Sequence, residues 1–362
     1  MGWHTVCATV GVSRAIAQTT AASALRHVSD RHAGITRHPT AQGFRYEDDA
    51  GRPITDRDAL TRIAALAVPP AWTEVWICAD GRGHLQATGR DARGRKQYRY
   101  HAAWRAHREA DKFAGLARFG AALPRIRAHT ARDLARPGLS DRKVLAAAVR
   151  LLDLTLMRIG NVEYARLNGS FGLTTLRNRH VRVTGQRLVF RFRGKAGREH
   201  ALEVIDRRLA RIVARCRDLP GQELFQYVDA DGASRPIDSG AVNAYLSEIA
   251  RSDCTAKSFR TWGGTLLAAR LFALQAREEH AQGARPALRP VLDSVARALG
   301  NTPAICRKSY IHPAVIEAYL AGTLPDTLAV ASDAARGDAE RALLAFLRAR
   351  RARRSAPGKP GR

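Results

Sequence analysis

The stretch LGNTPAICRKSYIHP, residues 299–313, places Tyr310 one or two helical turns beyond a Gly-Asn-Thr-Pro loop, with Arg307 and Lys308 beside it. A tyrosine alone carries little meaning. Three upstream segments each add an isolated cation in a tight context: Arg158 in LMRIGN (156–161), Lys195 in FRGKAG (192–197) and Arg260 in KSFRTW (257–262). With Asn301 they make two arginines, a lysine, an amide and a phenol. That set suits attack by a phenol on a phosphodiester without a metal ion. A phenol has an ordinary pKa near ~10. It attacks phosphorus only as its proton leaves and cations stabilise the charge that builds. Arginines can grip two non-bridging oxygens with a geometry lysine lacks, which is stabilisation aimed at the transition state. Lys195, at the tip of a glycine-flanked hairpin, has the reach to protonate a leaving 5′-oxygen, with Gly194 and Gly197 letting the loop come close to a backbone. Asn301 can donate an N–H to a phosphate oxygen.

Each residue also has an ordinary structural reading. Tyr310 is a core or surface aromatic, and Arg158 a cation at the C-terminal end of an apolar helix. Lys195 is turn polarity, Arg260 a surface residue on the helix of Trp262, and Asn301 a helix stop or an N-cap for the helix after Pro303. Only their joint order separates the two readings.

The rest of the chain fits a nucleic-acid partner. Its 362 residues suffice for two domains, and at 45% hydrophobic it can bury a core. Lys and Arg number 60 against 33 Asp and Glu, a surplus of +27, which repels itself unless a polyanion neutralises it. A basic surface spread over an arginine-rich chain is the plainer alternative. The five cysteines (7, 78, 216, 254, 306) form no CxxC pair or Cys/His cluster and read as reduced cytosolic thiols. No apolar run is long enough to span a bilayer, and residues 1–24 lack a signal-peptide core.

Residues 26–108 read as strand-rich. FRYED (44–48) runs into an Asp-Ala-Gly turn, and EVWICA and HLQATG flank Asp-Gly-Arg-Gly (80–83) as a hairpin. Prolines 69 and 70 stop a helix-like run over 60–67. Beyond 109 the period turns helical, with Val144, Ala148, Leu151 and Leu152 on one face of 143–157. Alternation over 180–183, 187–193 and 199–204 predicts a small sheet. Helices are expected from 206, over 239–251, 258–274 and 290–299, with an arginine-studded amphipathic stretch at 339–354. The fold class is therefore α+β: a small N-terminal antiparallel β-rich domain, then a larger, mainly helical domain with a small sheet. The divisions expected are a flexible leader (1–24), a β-rich clamp domain (25–108) with a linker near Ala110, a catalytic domain (109–324) and a basic tail (325–362).

The order Arg, Lys, Lys-x-x-Arg, Gly-Asn-Thr-Pro, Tyr resembles the type IB DNA topoisomerases of the small bacterial and viral (poxvirus-like) branch. The segments LRHVSDRHAGITR (25–37), PPAWTEVWI (69–77), GRDARGRKQYRYH (89–101), NGSFGLTTLR (168–177), LPGQELFQY (219–227) and SYIHPAVIEAYL (309–320) share it. The resemblance covers 25–324 and implies the fold shared with tyrosine recombinases. It implies Tyr310 as nucleophile forming a 3′-phosphotyrosyl link, Arg158 and Arg260 on the scissile phosphate, and Lys195 as general acid. Asn301 stands where viral and eukaryotic members carry histidine. The departure keeps a donor but loses any role that needs an imidazolium. Gln97, Tyr98 and Tyr100 match DNA-contacting positions, with Arg95, Lys96 and Arg99 interleaved. Strand alternation puts the two tyrosines on one face, and a strand edge packed on its own domain is the alternative. Lys257 falls where tyrosine recombinases usually carry histidine and is counted with the DNA contacts. The implied activity is relaxation of supercoiled duplex DNA by cleavage, strand rotation and religation. It needs no metal, ATP or other cofactor, in keeping with the lack of a GxxxxGK[ST] loop. The expected setting is a monomer on duplex DNA, in the cytoplasm at the nucleoid. A tyrosine recombinase would instead show His-x-x-Arg and a helical front domain. A non-enzymatic basic DNA-binding protein would show a decayed site.

Overall fold

A computed structural model describes residues 25–92, 94–105, 113–329 and 336–355. The chain divides into two compact units, Met1–Ala114 and Gly115–Arg362. The expected leader, the linker near Ala110 and the end of the tail lie outside the described residues.

The first unit is built on a five-stranded sheet of order β2-β1-β3-β4-β5. Its strands are β1 (Ile35–Thr40), β2 (Gly43–Glu47), β3 (Thr73–Ile77), β4 (Leu85–Arg90) and β5 (Lys96–Tyr100). Each neighbouring pair is antiparallel, and the hairpin read around Asp-Gly-Arg-Gly is β3 against β4, with Ile77 opposite Ala87. Helix α1 (Arg57–Ala65) starts at Asp56, whose carboxylate accepts from Ala59 N, a standard N-cap. Ile63 of α1 joins Ile35, Val75, Ile77 and Ala87 in one core. Arg37 is buried beneath the sheet, donating to the carbonyls of Val68, Pro69, Pro70 and Trp72. Its cation thus fixes the loop that the double proline begins.

The second unit is mainly helical. In chain order its larger helices are α2 (Leu116–Leu134), α3 (Asp141–Thr155), α4 (Val162–Asn168), α5 (Arg207–Arg217), α6 (Ser239–Ala250) and α7 (Ala256–Gln282), followed by α8 (Arg289–Leu299), α9 (Pro303–Ser309), α10 (Pro313–Leu320) and α11 (Arg336–Ser355). The predicted small sheet is β6 (Val181–Thr184), β7 (Arg187–Arg193) and β8 (Glu199–Ile205), antiparallel in that order. A further hairpin, β9 (Gln226–Val228) with β10 (Ser234–Pro236), was not read from the sequence.

Helix α3 is central: Val144, Ala146, Ala147, Ala148, Val149, Leu151 and Leu152 are all buried. Each such large side chain contributes about 1.5–3 kcal/mol. Helix α7 runs beyond its expected end and buries Phe259, Trp262, Leu266 and Phe272. The Trp262 indole lies against the backbone of α2 at Gly120, leaving no room there for a side chain. The segment expected as a basic tail largely forms α11, because Ala339, Leu343, Phe346 and Leu347 are buried as an apolar stripe. No helix among the described residues is long and apolar enough to cross a membrane.

Candidate active site

Helix α3 ends at Leu156, whose backbone is left-handed (φ 53°). That conformation costs a non-glycine residue energy and persists only when its surroundings hold it. Here the Leu156 side chain fills the notch at Gly263 on α7, where a methyl would lie 2.5 Å from its Cδ1. The Leu156 carbonyl accepts from Arg260 Nη1. The chain then turns into the loop carrying Arg158. Leu173 N donates to Arg158 O (2.8 Å) and Thr174 N to Ile159 O (2.7 Å), so the NGSFGLTTLR segment pins this loop.

Arg260 rises from the first turns of α7 and is 4% exposed. Its Nη2 donates to Leu299 O at 2.7 Å, and its guanidinium carbon lies 5.1 Å from the centre of the Tyr310 ring. Gly300 follows Leu299 in a left-handed conformation and ends α8. Asn301 comes next, 7% exposed. The N-cap of α9 is Thr302, whose hydroxyl accepts from Ile305 N, with Pro303 in the first turn. Asn301 is therefore released from the capping role open to it in the sequence. Its Oδ1 accepts from Arg158 Nη2 at 2.6 Å, which fixes the amide so that Nδ2 is the free donor.

Tyr310 closes α9, its N–H bonded to Cys306 O. Its carbonyl accepts from Thr265 Oγ1 at 3.1 Å, and the same hydroxyl accepts from His312 N at 3.1 Å. A methyl at Gly264 would sit 2.9 Å from Tyr310 O. The tyrosine is thus seated directly on the helix that carries Arg260, and neither Thr265 nor Gly264 was singled out in the sequence. The ring is half-buried.

Three buried donors of this group have no acceptor among the described residues: Arg158 Nη1, Arg260 Nε and Asn301 Nδ2. Buried polar atoms are rarely left so. Burial pushes the pKa of both arginines down, and for Arg260 the neighbouring Arg158 does so further. Arginine stays cationic under such shifts. Burial pushes the Tyr310 phenol up, but Arg260, Arg158 and Lys257 outweigh it and hold the phenol below the usual tyrosine range. Lys257 is exposed, one turn before Arg260. The group can therefore draw in an anion and favour the phenolate.

Lys195 makes none of these contacts. It is exposed at the β7–β8 connection, in a short turn with Ala196 left-handed (φ 61°). The glycines around it also have roles within the protein. Gly197 takes a positive φ of 73°, whereas Gly194 makes room for His200, a residue the sequence reading passed over.

In the first unit, β5 alternates as expected: Lys96, Tyr98 and Tyr100 are exposed, Gln97 and Arg99 half-buried. The Tyr98 and Tyr100 rings are near-parallel (12°) with centres 6.1 Å apart, and Lys96 lies over Tyr98 while pairing with Asp30 at 2.5 Å. The interleaved cations do not all share this face. Arg95 pairs with Asp91 at 2.7 Å, and Gln97 donates to the same carboxylate. Arg99 donates to Ala67 O at 2.9 Å and lies over Trp72.

Residues 101–323 match the family model of the eukaryotic DNA topoisomerase I catalytic core, and residues 43–91 that of the bacterial DNA topoisomerase IB N-terminal domain. The DNA topoisomerase 1B of Acanthamoeba polyphaga mimivirus is 30% identical over 294 residues, 79% of this chain and 87% of that one. The DNA topoisomerase 1B of vaccinia virus (strain Copenhagen) is 24% identical over 153 residues, 41% of this chain and 49% of its own. With both family models in chain order and a relative matched along most of its length, this chain belongs to the type IB DNA topoisomerases.

Proposed function

We propose that this protein relaxes supercoiled duplex DNA through a transient 3′-phosphotyrosyl link on Tyr310. The observation that carries the reading is the convergence of Arg158, Arg260 and Asn301, each with a buried unpaired donor, beside one tyrosine. A phosphodiester supplies the oxygens these donors lack. The Tyr310 oxygen attacks phosphorus as its proton leaves, and the bond to the 5′-oxygen breaks. Arg158, Arg260 and Asn301 hold the charge that builds on the non-bridging oxygens. Lys195 gives its proton to the departing 5′-oxygen. The free end rotates, and the 5′-hydroxyl then attacks the phosphotyrosine and releases Tyr310. The phosphotyrosine keeps the bond energy, so religation needs no nucleotide. The protein acts as a monomer on duplex DNA at the nucleoid. Lys96, Tyr98 and Tyr100 meet the DNA from β5, and Lys257 from beside the site. Arg95 and Gln97 hold the loop between β4 and β5 in shape.

Plasmid relaxation with EDTA present and ATP absent tests this. The wild type is expected to relax the plasmid. Tyr310→Phe is expected to bind DNA without relaxing it, a loss on the order of 10⁴-fold or more. A denaturant-trapped covalent adduct with Tyr310→Phe would remove Tyr310 as nucleophile. Paired specific sites required for any reaction would favour a recombinase.

A further inference from the structure

His200 stands on β8 opposite Phe192 of β7. Its imidazole stacks on the Phe192 ring, with centres 5.0 Å apart and planes at 16°. One edge of the imidazole meets the backbone of Gly194, where a methyl would lie 2.6 Å from Cδ2 and 2.7 Å from Nε2. Another edge meets Gly300, where a methyl would overlap Cε1 and lie 3.2 Å from Nε2. Side chains do not pack that closely, so both positions exclude anything larger than glycine while the imidazole is there. The residue after Gly194 is Lys195, and the residue after Gly300 is Asn301. One ring therefore touches the loop of the proton donor and the loop of the phosphate donor, and Phe192 fixes its tilt. Burial, then Arg158 and Arg260, disfavour its protonation against a smaller opposing pull from Glu199. The ring fills this position without adding a cation beside two arginines.

Resting on the mechanism proposed above, we infer that His200 is a positioning residue that sets the Lys195 loop against the Gly300–Asn301 loop, aiming the lysine at the leaving 5′-oxygen. It acts through Lys195 and takes no proton itself. Such a role is specific. Displacing a proton donor by about 1 Å can cost on the order of 10²-fold in rate, and the cost vanishes when the leaving group needs no proton.

The experiment compares single-turnover cleavage of a duplex with 5′-oxygen or 5′-sulfur at a mapped cleavage site. The proteins are wild type, Lys195→Ala, His200→Ala, Gly194→Ala and the Lys195→Ala/His200→Ala double variant. His200→Ala is expected to cleave the oxygen substrate about 10- to 100-fold more slowly and the sulfur substrate at close to the wild-type rate, with DNA affinity kept. Gly194→Ala is expected to show the same leaving-group dependence, because it pushes the loop off an intact imidazole. That keeps the test open if His200→Ala folds poorly. On oxygen, the double variant is expected to be no slower than Lys195→Ala, since both changes disable one step. Equal slowing on both substrates by His200→Ala and Gly194→Ala would overturn the inference, as would a wild-type rate on oxygen. If Lys195→Ala rescues on sulfur while those two do not, the positioning role alone fails. If Lys195→Ala does not rescue, the general-acid assignment fails and takes the inference with it.

Discussion

Two groups of arginines centre on positions five residues apart at the end of α3, Asp153 and Arg158, and they are managed in opposite ways. Arg127 reaches Asp153 at 2.8 and 3.0 Å and Glu340 at 2.7 and 2.9 Å. Arg336 of α11 joins the same two carboxylates, and Arg150 approaches Asp153 at 3.4 Å. Burial opposes the Arg127 charge, but Glu340 and Asp153 outweigh it and push its pKa up. Five residues past Asp153, Arg158 meets no carboxylate among the described residues. Its partner is the neutral amide of Asn301, and Arg260 leans on two backbone carbonyls. Burial lowers the pKa of both. A cation neutralised inside the protein braces the fold. A cation given only neutral acceptors keeps its field for an anion from outside.

Breaking the braced group should produce the largest loss. Asp153→Asn leaves Arg127 and Arg336 sharing one remaining carboxylate, Glu340, and removes the carboxylate that Arg150 approaches. It is expected to destabilise the protein by about 3–5 kcal/mol, read as a shifted chemical-denaturation midpoint. Cleavage chemistry, measured where the variant is folded, should stay near wild type. Burial raises the pKa of Asp153 and Glu340, but Arg127 leads the interactions that bring both below the ordinary range. Their stabilisation is therefore present above an unfolded pKa of about 4 and is lost as pH falls through the lowered folded values. The variant's stability should accordingly fall less steeply on acidification. A chemistry defect with unchanged stability would erase the distinction between the two groups.

The converse change is Arg158→Lys. It keeps a cation but cannot hold Asn301 and a phosphate oxygen together. Single-turnover cleavage should slow by about 10²-fold with the denaturation midpoint kept. Equal loss of stability would mean that Arg158 is a brace as well.

A smaller effect is expected at Lys257, whose positive charge helps to hold the Tyr310 phenol down. Lys257→Ala raises that pKa. The pH of half-maximal cleavage should move upward, with the plateau rate at high pH little changed. A downward move would contradict the sign of this interaction.

The smallest expected change carries the comparison to β5. Lys96→Ala should lower the salt slope of DNA binding by about 1 with little effect on folding. Arg99→Ala should leave that slope unchanged and destabilise the first unit, since its guanidinium is turned onto Ala67 O and Trp72. The same slope change in both would show that Arg99 also faces the phosphates.

Much of this was legible in the chain. The alternation over 187–193 matched β7 residue for residue, and the helical period over 143–157 found α3 with both ends offset by two residues. Short elements such as β9 and β10 escaped because three residues carry no readable period. His200 escaped because the two loops it joins meet it at glycines, Gly194 and Gly300, visible only as space. Thr302 rather than Asn301 caps α9 because only one of two adjacent polar residues can turn its side chain onto the helix end.

The order of Arg158, Lys195, Arg260, Asn301 and Tyr310, and the switch from a two-residue to a helical period, were set by the sequence alone, because local periodicity and residue chemistry are written in neighbouring positions. Which arginine would be neutralised and which left for a substrate was decided by the tertiary structure. Asp153 and Arg336 are 183 residues apart, and the Coulomb energy that separates a brace from an anion site depends on distances of a few ångströms that only folding fixes.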